Sequence, residues 1–127
     1  MSQVRRLVLV ILCHPGQPLV LLLQDGHDRW RLPALVCGQG AQTGRLAAAL
    51  LGRLLGWEHH WHLWLLGFWP PLAVYLALVD GISGVPGGGW WFACDAVGLV
   101  PAREAGLIAR AVQWLQHEAG FARRGIV

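Results

Sequence analysis

Residues 29–57 read RWRLPALVCGQGAQTGRLAAALLGRLLGW, and their punctuation decides the fold. An extended piece, 29–37, contains Pro33, which cannot donate to a ladder; the piece therefore lies at a sheet edge or bends there. A short loop with two glycines follows. A helix then runs from Thr43, whose hydroxyl suits an N-cap, to Gly56, which suits the left-handed position just past a helix end. Gly44 and Gly52 weaken this helix by about 1 kcal/mol each relative to Ala. Arg45 and Arg53 are its only charges in a run of Leu and Ala. A surface helix normally keeps one polar face, so this one raises the question of what covers it: a partner, a second copy or a loop.

The flanks supply the rest of an α/β pattern. Residues 4–13 (VRRLVLVILC) read as a buried strand, 14–17 as a turn and 18–24 as a returning strand, which makes a hairpin. Asp25 and Asp28 belong to a second turn. Residues 57–69 and 72–79 read as two strands, since Pro70–Pro71 breaks what could be taken for one apolar membrane span. Residues 80–89 form a loop and 90–93 a short aromatic strand, with Asp95 able to cap a turn after it. A last helix is expected over 102–118, because Leu107, Ile108, Ala111, Val112 and Leu115 recur at helical spacing. The order predicts one domain, 1–127, built as a mixed sheet with helices packed on it.

A chain of 127 residues is long enough to bury one core without disulfides or metals. It is 55% hydrophobic and 13% charged, against about a quarter charged in an average domain, and its mean hydropathy is +0.46. That excess, with eight tryptophans, predicts an apolar surface for a protein partner or a homodimer. The net charge of +3 comes from ten scattered arginines against seven acids. No basic stripe with interleaved aromatics exists, so nucleic-acid binding is unsupported. Cys13, Cys37 and Cys94 are odd in number and widely spaced, and read as three buried thiols in a reducing, cytoplasmic setting. The apolar run near the start is short and lacks a small-residue cleavage site, so it reads as a strand and not as a signal peptide. No transmembrane segment is expected.

With this frame in place, the chain resembles the Nudix (MutT-like) superfamily along nearly its whole length. Residues 29–57 look like the family's stretch W-x-LPGG-x-V-E-x-GE, AA-x-RE, EE-x-G. Residues 87–115 (GGGWWFACDAVGLVPAREAGLIARAVQWL) resemble its ending of aromatic strand, loop and helix. The resemblance implies an α/β/α sandwich with a Nudix-box helix and a C-terminal helix. Set on the family signature G-x5-E-x7-R-E-U-x-E-E-x-G-U with its last glycine on Gly56, the adjacent glutamates fall on Arg53 and Leu54. The Arg-Glu pair falls on Ala49 and Leu50, the upstream glutamate on Ala41 and the first glycine on Leu35. Only Leu51 and Gly56 keep the pattern, and Trp57 replaces an aliphatic. Trp30, Pro33, Gly40 and Ala47–Ala48 match common family residues outside it. Family members hold Mg²⁺ or Mn²⁺ on those glutamates and hydrolyse nucleoside diphosphate derivatives, which needs hard oxygen ligands. Residues 29–57 contain no Asp or Glu, and no shift of frame recovers one. The box is therefore degenerate, and no cofactor is implied unless metal is held elsewhere.

Three further groups could carry chemistry. Glu58, His60 and His62 project from one side of an expected strand, opposite His59 and Trp61, and with Glu104 form a weak candidate metal set. The commoner arrangement for two histidines at i, i+2 is a hydrogen-bonded sheet face, and that reading is preferred. Glu104 otherwise favours the positive end of the last helix. Trp90 and Phe92 alternate with Trp91, one side for core and the other for a contact surface or for stacking a flat ligand. Arg31 and Arg53 could offset phosphate charge where metal is missing. Gly87–Gly89 has no following Lys and is not a phosphate loop. The first expectation is thus a Nudix-like binding or scaffolding subunit. The alternatives are a binder of a nucleotide-like small molecule, with Arg31, Arg53, Trp90 and Trp91 at the site, and a pyrophosphohydrolase with relocated metal.

Overall fold

The computed structural model describes residues 5–13, 18–26, 28–38, 42–57, 60–69, 72–82 and 84–125. Strands β1 (Arg5–Cys13), β2 (Leu19–Gln24), β3 (Trp30–Arg31) and β4 (Ala34–Cys37) lead into helix α1 (Thr43–Leu55). Strands β5 (Trp61–Trp69), β6 (Leu72–Val79) and β7 (Gly88–Phe92) follow, then the short helix α2 (Ala93–Ala96) and the long helix α3 (Ala102–Gly125). The seven strands make one mixed sheet in the order β3-β2-β1-β6-β5, with β4 also on β1 and β7 also on β2. Only β1 and β6 run parallel among the described pairs.

The unbroken apolar run of β1 follows from helices covering both faces of the sheet. Leu7, Leu9 and Ile11 point to one face and meet Ala47, Leu50, Leu51 and Leu55 of α1. Val8, Val10 and Leu12 point to the other and meet Leu107, Ile108, Ala111 and Leu115 of α3. These are two cores separated by one sheet, the α/β/α layering expected for the chain. The extended piece after the second turn splits at Leu32–Pro33, leaving β2 for β1, and Leu9 donates its N–H to the Pro33 carbonyl at 2.8 Å.

Several boundaries differ from the sequence reading. Gln42 and not Thr43 is the N-cap, and it makes no side-chain capping bond. Thr43 lies inside the helix, its hydroxyl 2.8 Å from the Tyr75 hydroxyl on β6, where a half-buried phenol needs a polar partner. Gly56 caps α1 as expected, with φ +75° and its N–H on the Gly52 carbonyl. Strand β5 begins at Trp61, later than the expected 57. Helix α3 continues to Gly125, and α2, too short to show periodicity, was not expected. Asp95 lies within α2 and closes the following turn through its carbonyl. Cys94 is exposed, unlike the buried Cys13 and Cys37, which corrects the expectation of three buried thiols.

Candidate functional site

Helix α1 carries the positions where catalytic acids were sought. Ala49 and Arg53 face solvent. Leu50 is only 9% exposed and belongs to the core beneath α1, and Leu54 is half-buried against the same core. This corrects the expectation that a partner, a second copy or a loop covers these two leucines. They stand four residues apart, on the stripe that α1 turns toward its own sheet, so the chain covers them itself. Ala41 and Glu58 lie outside the described residues. Ala49, Leu50, Arg53 and Leu54 offer no oxygen donor, so this side-chain set does not fit a hard divalent cation.

The most heavily engaged polar group is Glu104, in the first turn of α3. Its side chain is 8% exposed. One carboxylate oxygen accepts from the Arg31 Nε–H at 2.6 Å, and the other accepts from the Leu32 backbone N–H at 2.6 Å. Arg31 also lies 3.6 Å from Asp25. Glu104 therefore does more than favour the helix end: it ties α3 to the junction of β3 and β4 through charge-assisted hydrogen bonds. Beside this tie opens a cleft of about 270 Å³, walled by Arg6, Arg31, Arg103, Asp25 and Glu104 over an apolar floor that includes Val8 and Leu72. Among the described residues neither Arg6 nor Arg103 has an ion-pair partner.

The other candidates scatter. His62 is exposed and stacks on Trp64, ring centroids 5.7 Å apart, as same-face residues should. His60 is exposed and precedes β5, its carbonyl accepting the Asp80 N–H. His62 pairs with Leu78 at one end of β6, while Leu72 at the other end lines the cleft with Glu104. That is roughly 20 Å along the strand at about 3.3 Å per residue, so Glu104 does not join His62 in the weak metal set. Trp90 packs into the core under α1, and Trp91 into the core under α3, edge-on to Trp30 at 5.5 Å. Neither indole serves as an open stacking platform. Arg31 is already tied to Glu104 on the α3 side, and Arg53 stands on α1, across the sheet. The expected ligand set of Arg31, Arg53, Trp90 and Trp91 is therefore split between opposite faces, which the spacing of residues along a chain cannot reveal.

Solved structures of the same architecture exist. No protein-family model and no curated relative matches the chain. A Caenorhabditis elegans Ap4A hydrolase binary complex superposes with a TM-score of 0.68 at 18% identity, covering 89% of this chain and 99% of that one. A Nudix hydrolase from M. smegmatis gives 0.57 at 13% identity, covering 92% and 86%. This is a Nudix fold. The C-terminal domain of mouse MUTYH, in complex with human PCNA, also shares it, with a TM-score of 0.59, 18% identity and 90% of each chain covered.

In this Nudix fold α1 stops at Gly56, buries Leu50, Leu51 and Leu55 in the core and turns Ala49 and Arg53 to solvent. The Glu104–Arg31 tie was missed at the level of sequence, although a signal was present. Glu104 extends the buried stripe of Ile108, Ala111 and Leu115 back by one turn, and an acid on a buried stripe requires a partner. What no local pattern could supply is the partner's identity, 73 residues away.

Proposed function

We propose that this chain is a Nudix-fold binding subunit that does not hydrolyse phosphoanhydrides. The observation that carries the reading is Leu50, a leucine sunk in the core at the place where the signature calls for a glutamate. Catalysis by divalent metal needs several oxygen ligands converging on one point. Among the described residues no group of three or more His, Cys, Asp or Glu converges anywhere. Exposed Trp57, Leu65 and Phe68, on the α1 side of the sheet beside and on β5, support an apolar docking surface, whereas Trp69 lies on the other side under Arg110 of α3. The MUTYH domain in complex with PCNA offers a precedent for this fold in a protein complex.

The test is turnover. Folded protein is offered nucleoside triphosphates, ADP-ribose, Ap4A and NADH with Mg²⁺ or Mn²⁺, with and without chelator. The expected result is no product above the chelated control. Chelator-sensitive turnover that follows the protein peak through purification overturns the proposal.

The arginine-walled cleft favours a second reading, a binder of an anionic, nucleotide-like small molecule. Arg6 and Arg103 can meet an anion directly, while Arg31 is held by Glu104 and Asp25. In that case arginines and not metal would balance the phosphate charge.

A further inference from the structure

Strand β5 ends the sheet. Among the described residues it pairs with β6 alone, in antiparallel register from Trp61 opposite Val79 to Trp69 opposite Leu72. Its nine residues, WHLWLLGFW, span roughly 30 Å at about 3.3 Å per residue. They contain no charge and no proline, the devices that usually blunt an exposed edge. The one irregularity is a bulge between Leu65 and Gly67. It leaves Trp61–Leu65 as the regular, pairable stretch and limits how far any added strand can run.

The hydrogen bonds show which groups face outward. The His60 carbonyl accepts the Asp80 N–H, so residue 60 bonds toward β6. Antiparallel alternation then turns residues 62 and 64 toward β6 as well, and presents the N–H and C=O of Trp61, Leu63 and Leu65 to the outside. A β-strand is the occupant these groups fit.

We infer that this edge pairs antiparallel with β5 of a second copy of the chain, about a two-fold axis at Leu63. Leu63 then faces Leu63, and Trp61 faces Leu65 in both directions. All three outward residues become hydrogen-bonded pairs, so each one's N–H and C=O finds a partner, which only registers of this parity achieve. His62 comes opposite Trp64, repeating across the axis the stacking already present within the strand. The absence of charge matters for self-pairing, because no like charges meet across the axis. The added strand also widens the sheet beside Trp57 (74% exposed) and Leu65 (57% exposed), which the chain's own helices leave uncovered. The other strands with a single described partner, β3, β4 and β7, are shorter, and β7 opens on two glycines, so each is a weaker template. The inference deepens the binding-subunit reading by naming its partner, and its test reads assembly and not turnover.

The full chain is examined by sedimentation velocity over a wide concentration range, with hydrogen exchange at both ends of it. The expected result is a dimer. Its amides at Trp61, Leu63 and Leu65 gain protection with concentration, while those at His62 and Trp64, already in the β6 ladder, do not change. Leu65→Pro removes an outward N–H without touching the β6 ladder, and Leu65→Lys places a charge on the edge. Each variant should sediment as a monomer with an unchanged circular dichroism spectrum, so either one suffices if the other fails to fold. A wild-type chain that stays monomeric at all concentrations overturns the inference, as does a dimer that persists in both variants. A monomer that gains strand protection only on adding another protein overturns it too, by giving the edge to a different partner.

Discussion

Glu104 and Leu50 show how little a residue type says without its surroundings. Glu104 is one of seven acids, yet its carboxylate alone among them is buried with both oxygens bonded in the described structure. In a glutamine at this position the amide oxygen can still accept from the Leu32 N–H, but the amide nitrogen, a donor, meets the Arg31 Nε–H and the charge is lost, leaving Arg31, which is partly in water, without its partner. Hydrogen bonds to a charged group contribute about 1.5–3 kcal/mol each, and the exposed side of Arg31 reduces that share. Glu104→Gln should therefore lower the free energy of unfolding by about 1–3 kcal/mol in urea titrations; an unchanged midpoint would show that the tie contributes nothing. Sequence reasoning placed Glu104 correctly at the start of the last helix. It could not see the partner, because that contact depends on β3 and α3 lying against the same face of the sheet.

Helix α1 was legible as an element almost to the residue. Its glycine stop is a local steric matter: at φ +75° a side chain would be strained, so Gly56 ends the helix wherever the fold puts it. The cap at the other end was misjudged, since Thr43 spends its hydroxyl on Tyr75. The helix also separates the box positions by environment, which two substitutions should report. Leu50→Glu places a carboxylate in a packed core and should cost about 3 kcal/mol or more, with no gain in hydrolysis. Arg53→Glu on the solvent side should stay within about 0.5 kcal/mol of the parent. Equal effects in thermal or urea unfolding would mean that α1 does not face its sheet as described. Gly52 belongs to the same element, since a Cβ there would overlap the Trp57 indole that lies across it.

At the scale of the whole molecule, one sheet with a helix layer on each side divides the polar chemistry. The α1 face holds Leu50 and Leu54, and the α3 face holds the cleft with Arg6, Arg31 and Arg103. If the cleft binds an anionic nucleotide, calorimetry should show Arg103→Ala and Arg6→Ala each weakening it about tenfold or more, since a charged hydrogen bond is worth about 1.5–3 kcal/mol and tenfold is about 1.4. Arg53→Ala, on the opposite layer, should leave it unchanged. Equal binding by all three variants would remove the cleft as the site. No helix among the described residues is long and apolar enough to cross a membrane.

The sequence by itself determined most of the elements and their order, though neither α2 nor the split of the extended piece into β3 and β4, because helix period, strand runs, glycine stops and proline breaks act over a few residues. It also determined that residues 29–57 lack carboxylates, which is a matter of composition. The tertiary structure alone decided where the remaining side chains went. It sent Leu50 and Leu54 into the chain's own core, split Arg31 from Arg53 and Trp90 from Trp91 across the sheet, and gave Glu104 its arginine. It also left β5 paired, among the described residues, with β6 alone. Each of these outcomes depends on which strand lies beside which and which face a helix covers, and such long-range pairings leave no periodic trace in the chain.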